Sequence, residues 1–114
     1  MIEVERLSSS LTYLLKLLAS KNVRYIAKYT LDQHEGFPMH YHRNVNEYII
    51  LLEGQSILRY KPEKDSTYEL KLIAENTTIF VDIPKKTEHE LIGLTNGSTY
   101  IVVKEFDDAM LFSR

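Results

Sequence analysis

Gly36-Phe37-Pro38-Met39-His40-Tyr41-His42-Arg43-Asn44-Val45-Asn46-Glu47-Tyr48-Ile49-Ile50-Leu51-Leu52-Glu53-Gly54 is the stretch from which the fold is read. His40 and His42 stand two residues apart, the spacing at which strand side chains project from one face, so both imidazoles could bind one ion. Asn44 and Asn46 favour a turn, and a reset of register there brings Glu47 back to the inward face. With Glu47 inward, Ile49 and Leu51 share its face while Tyr48, Ile50 and Leu52 pack on the other side. An acid on an otherwise apolar strand face needs a partner. Glu53-Gly54-Gln55 reads as a hairpin turn.

Outward from this stretch the same period of two recurs. Val23, Tyr25, Ala27, Tyr29 and Leu31 alternate with Arg24, Ile26, Lys28 and Thr30, a strand pattern. Further β-branched or aromatic runs lie at Glu47 to Leu52, Ser56 to Lys61, Tyr68 to Ile73, Thr78 to Ile83 and Thr99 to Phe106. Between them stand the turn formers of Pro62 to Ser66 and of Thr95-Asn96-Gly97-Ser98, the latter carrying the Asn-Gly hairpin signal. Seven or so short strands with regular turns predict a β-sandwich or barrel. Ahead of them, Leu11, Leu14, Leu15 and Leu18 follow Ser8 to Ser10, which predicts a short amphipathic helix over residues 8–20 with a hydroxyl cap. The domain reading is a single unit, 1–114, with the helix at 8–20, the barrel at 23–106 and a tail at 107–114.

Composition narrows the function classes. The chain has 114 residues, 44% hydrophobic and 26% charged, the balance of a globular domain. Fourteen basic against sixteen acidic residues give a formal charge of −2, with no basic stripe, so no nucleic-acid partner is expected. No apolar run approaches the roughly 20 residues of a membrane span, no signal peptide is visible, and the expected location is cytoplasmic. Cysteine is absent, which excludes disulfides, thiolate metal sites and Cys nucleophiles. Met110, Leu111 and Phe112 in the tail, the helix and the Tyr-rich first strand offer more apolar surface than a small barrel should expose; the expectation is a homodimer.

Any metal is therefore held by His, Asp, Glu or main-chain oxygen. His89, after Ile83-Pro84-Lys85-Lys86-Thr87-Glu88, completes a set with His40, His42 and Glu47. Neighbouring strands are about 4.8 Å apart, so inward side chains of several strands can reach one ion. Three imidazoles and a carboxylate suit one divalent transition metal per chain (Fe, Mn, Ni, Zn, Co or Cu) more than Ca or Mg.

The quoted stretch resembles the first cupin motif, in which Gly precedes His-x-His, Glu follows after three or four residues and Gly closes after six more. Thr78 to Gly93 is similar to the second, with Pro84 and His89 in register. Three residues rather than five separate Gly36 from His40. Thr78 and Lys86 stand where the second motif has Gly, and Gly93 where it has Asn. The resemblance covers Gly36 to Gly93, about half the chain. It implies an all-β, cupin-type double-stranded β-helix, a jelly-roll barrel, here with a short N-terminal α-helix. It also implies that the metal ligands are His40, His42, Glu47 and His89.

Without a metal, the same histidines would be polar residues at a barrel rim, and Glu47 would be satisfied by Arg43 or Arg59. His34 reads as a loop residue. Arg24 on the first long strand would clamp a substrate carboxylate if it faced inward, and the tyrosines there read as packing. Lys85, Lys86, Glu88 and Glu90 read as a solvated loop. The leading functional expectation is a metal-dependent enzyme on a small oxygen-rich molecule, of dioxygenase, isomerase, decarboxylase or lyase type. In it Glu47 is a ligand that can also serve as base. The alternative is a non-catalytic module that binds or senses a small molecule.

Overall fold

Alternating burial is what turns the sequence pattern into two packed layers. The computed structural model describes residues 3–7, 19, 23–63 and 66–106. The helix expected over 8–20, apart from Ala19, and the tail 107–114 lie outside them. The described residues form eight strands: β1 (Glu3–Leu7), β2 (Val23–Leu31), β3 (Gly36–His40), β4 (Val45–Glu63), β5 (Ser66–Ala74), β6 (Thr78–Ile83), β7 (Glu88–Gly93) and β8 (Ser98–Phe106). All pairings are antiparallel. One layer runs β1-β6-β4-β8-β2 and the other β3-β7-β4-β5, so β4 belongs to both. The result is an all-β, curled jelly roll of the kind the motif resemblance implies. Among the described residues no helix is long and apolar enough to cross a membrane.

The expected hairpin at Glu53-Gly54-Gln55 is instead a bend inside β4. The half up to Glu53 pairs with β6 and β8, and the half from Gly54 pairs with β5 and β7. Both halves find partners elsewhere, so they need not pair with each other. Gly54 makes the corner possible. Its φ is +99°, and a Cβ there would stand 2.8 Å from the Ser98 Cα, a conformation and an approach open to glycine alone. The turn around Asn96-Gly97 is likewise real but is no hairpin. It carries the chain from β7 in one layer to β8 in the other.

The two faces of β4 divide as the alternation predicts. Ile49 and Leu51 join Leu58, Leu72, Ile79, Val81, Leu91 and Tyr100 in the barrel interior. Tyr48 and Ile50 pack with Phe80 and Val103 on the opposite face. Burial on β2 alternates along its whole length, with Tyr25, Ala27 and Tyr29 inward and Arg24, Ile26 and Lys28 outward. Arg24 therefore does not reach the interior. The tyrosines turn into the barrel, so they are not the apolar outer stripe that the dimer expectation drew on.

Candidate functional site

The ends of β3, β4 and β7 and the segment after β3 deliver the chemistry to one mouth of the barrel. His40 ends β3 and lies directly across from His89 on β7. His42 follows β3 in a short irregular segment, and Glu47 sits near the start of β4. The reset of register at Asn44 to Asn46 does what the sequence required of it. Asn46 fixes the segment, accepting from the Lys85 amide at 2.8 Å and donating to Glu105 at 3.1 Å.

The four sequence-derived candidates meet. His40, His42, Glu47 and His89 each offer a ligand atom, and these atoms lie within 4.8 Å of one another. Glu47 and His89 are buried, at 5% and 1% exposure, while His40 and His42 are half-buried. Neither Arg43 nor Arg59 satisfies Glu47. Arg43 is exposed, and Arg59 pairs with Glu69 and Glu90. His42 Nε2 lies 3.2 Å from one carboxylate oxygen of Glu47, and His89 Nε2 lies 2.9 Å from the other.

Backbone carbonyls set the imidazoles. His40 Nδ1 is 2.7 Å from the Pro38 oxygen, and His89 Nδ1 is 2.9 Å from the Thr87 oxygen. A carbonyl only accepts, so each Nδ1 carries its proton outward and turns Nε2 towards the cluster. His89 then faces an acceptor at both ring nitrogens. A neutral imidazole has a single N–H, so a proton or a metal ion must stand between His89 Nε2 and Glu47. The donor set therefore fits a first-row transition ion. Burial pushes the Glu47 carboxyl up, but the His89 hydrogen bond and the charges of His89, His42 and His40 outweigh it, leaving the group below its ordinary value. Burial pulls the His42 imidazole down, against the upward pull of Glu47.

Beside the cluster is a cavity of about 150 Å³, lined by His40, Glu47 and His89, by Tyr29 and Lys104, and by apolar Phe37, Ile49, Leu91 and Val102. Strand alternation alone assigns Tyr29 to packing and gives Lys104 no role. The signal was there: Lys104 continues the inward series Tyr100, Val102 on β8, where a lysine is out of place. His34 is an exposed loop residue, as expected. Lys86, standing where the second motif has Gly, adopts the glycine-like φ of +68° and donates its amide to the His42 oxygen at 2.7 Å. The turn thus survives the departure, and His89 enters at an angle that meets Glu47.

No protein-family model matches the chain, and no curated protein does. Solved structures do. ChmJ, a 3'-monoepimerase from Streptomyces bikiniensis in complex with dTDP-quinovose, superposes over 96% of this chain with a TM-score of 0.71 at 11% identity. A mutant of the 3,4-ketoisomerase QdtA from Thermoanaerobacterium thermosaccharolyticum, in complex with TDP-4-keto-6-deoxyglucose, does so over 76% with 0.63 at 18%. A CENP-C domain from Drosophila melanogaster covers 70% with 0.60 at 7%. The chain spans 66%, 63% and 57% of the length of these proteins. At such identities the likeness establishes the cupin-type jelly-roll fold.

Proposed function

We propose that the chain is a small-molecule enzyme of the isomerase type that works in the barrel mouth, with a divalent transition metal held by His40, His42, Glu47 and His89. The observation that carries the proposal is the convergence of those four side chains, with the Nε2 of His40 and His89 aimed inward by backbone carbonyls. A bound ion supplies Lewis acidity towards a carbonyl or hydroxyl oxygen. The epimerase and ketoisomerases among the structural neighbours favour isomerisation over oxygenase, decarboxylase or lyase chemistry.

The chain's own residues supply the rest. Glu47 is held below its ordinary pKa, with one oxygen beside His42 Nε2 and the other beside His89 Nε2, and can take a proton from carbon beside a carbonyl and return it to the same or the adjacent carbon. One C–H bond breaks and one forms, and no electrons leave the pair. Phe37, Ile49, Leu91 and Val102 exclude water from the reacting carbon.

The test is exchange of carbon-bound hydrogen for deuterium, followed by NMR in heavy water over a panel of oxo acids and keto sugars. Wild type exchanges at least one of them. Glu47→Gln loses about 100-fold or more, the usual contribution of a general base. Exchange by Glu47→Gln at the wild-type rate would remove Glu47 from the chemistry, and saturable binding without exchange on any member would turn the reading to a sensing module.

The proposal includes a homodimer. Ile26 stands 60% exposed on β2, which among the described residues pairs only with β8. A monomer by light scattering at micromolar concentration would remove that part.

A further inference from the structure

Lys104 is an ammonium inside the barrel for which the cluster has no use. It lies directly across from Glu47 on β4 and directly across from Tyr25 on β2. A lysine placed there to neutralise Glu47 would bond it. Glu47 instead gives both oxygens to histidines. Lys104 Nζ rests over the Tyr25 ring, 4.6 Å from its centroid. Among the described residues no carboxylate reaches ion-pair distance of it. A half-buried ammonium on an apolar wall costs desolvation that a ring face only partly offsets.

Next to it stands a fixed pair of hydroxyls. The Tyr25 and Tyr29 hydroxyls are hydrogen-bonded to each other, and the Tyr29 ring meets Phe37 edge-on at 5.1 Å. Within that pair one O–H donates to the other oxygen, so one proton is left to offer to a ligand. Lys104 and Tyr29 both line the cavity, together with His40, Glu47 and His89.

Charge and size select the occupant. Whether a proton or a divalent ion stands between Glu47 and His89, the carboxylate is already compensated, and Lys104 leaves the cavity net positive. The remaining walls are apolar and provide no counter-charge. A volume of about 150 Å³ is that of a cavity which takes benzene, a molecule of about six heavy atoms, and falls below the roughly 300 to 1,000 Å³ of pockets for drug-sized ligands.

We infer that Lys104, with the Tyr25–Tyr29 hydroxyl pair, is the anion anchor of the cavity, and that the ligand is a short oxo- or hydroxycarboxylic acid. Its carboxylate meets Lys104 and its carbonyl or hydroxyl faces the His40, Glu47 and His89 side. This rests on the reading of the mouth as the working site, and Lys104 is then a specificity-determining residue.

The test is calorimetric binding at neutral pH, on chelator-treated and on zinc-loaded full-length protein. The probes are pyruvate, lactate and acetoacetate, against the uncharged methyl pyruvate and hydroxyacetone and against a dTDP-hexose. At least one short acid is expected to bind chelator-treated wild type about tenfold or more tighter than the uncharged analogues, the usual scale of a hydrogen bond to a charged group. That preference vanishes in Lys104→Met and Lys104→Gln, is largely kept in Lys104→Arg, and the melting temperatures of the Met and Gln variants stay near wild type. Equal binding of acid and ester, equal binding by wild type and Lys104→Met, or no saturable binding of any short acid would overturn the inference. So would tighter, Lys104-dependent binding of the dTDP-hexose. Binding is read without turnover, so a protein that binds the acids yet exchanges no carbon-bound hydrogen loses the isomerase reading and keeps the anchor.

Discussion

At the scale of single residues, the site is a set of hydrogen-bond constraints that leave few choices. Glu47 has two oxygens and both are taken; His89 has two nitrogens and both face acceptors. His40, His42, Glu47 and His89 were legible in the sequence because strand spacing and motif spacing agreed. Lys104 was not, because nothing local distinguishes an inward lysine from a solvated one until the neighbouring strands are paired. Lys86 shows a local departure absorbed by the backbone. It holds a φ of +68°, which costs a side-chain-bearing residue about 1 to 2 kcal/mol relative to right-handed conformations. Lys86→Gly should therefore raise stability by about 1 kcal/mol, seen as a higher urea midpoint at unchanged slope. A midpoint that falls would show that the lysine side chain, and not only its amide, holds the turn against His42.

At the scale of elements, the sequence was most informative where alternation is long or a β-branched and aromatic run is unbroken, and least where short strands carry charged residues or proline. β2 and β6 lie where the pattern put them, Val23–Leu31 and Thr78–Ile83. β1, β3 and β7 are five or six residues each and carry charged or proline residues, so their pairing comes from the layers they join and not from their own propensity. The sequence of β4 predicts two strands because Gly54 and its flanking polar residues look like a turn. Only the partners of its two halves reveal a single strand that changes layers. Gly54 is where that change is made. Gly54→Ala should destabilise by about 3 kcal/mol, combining strain at positive φ with the clash against Ser98, as measured by chemical denaturation. The affinity of the mouth for metal should fall with it, because β4 carries Glu47 at one end and pairs with the His89 strand at the other. Wild-type stability in that variant would contradict the corner role.

At the scale of the molecule, buried tyrosines set an alkaline limit. Burial first, then the charges of Glu105 and Asp82 and the bond to Glu105, raise the Tyr48 hydroxyl above its ordinary value. Burial likewise raises Tyr100, against its hydrogen bonds to Ser56 and Ser98. A raised folded-state pKa means that the native state holds the proton longer than the unfolded chain. The stabilisation is complete below about pH 10, the ordinary tyrosine value, and is lost as pH rises through the folded-state value. Denaturation midpoints should be flat from pH 7 to about 9.5 and fall steeply above, and Tyr48→Phe should lessen the fall. A flat profile to pH 11 would contradict it. A metal held in the barrel mouth by three imidazoles and a carboxylate is read most directly as metal content by plasma mass spectrometry. The measurement would be made on untagged protein prepared without chelator, beside His40→Ala and His89→Ala. About one transition metal per chain is expected, lost in both variants. Native protein that carries none and takes up none on reconstitution, or His89→Ala that retains it in full, would rule out the metal centre.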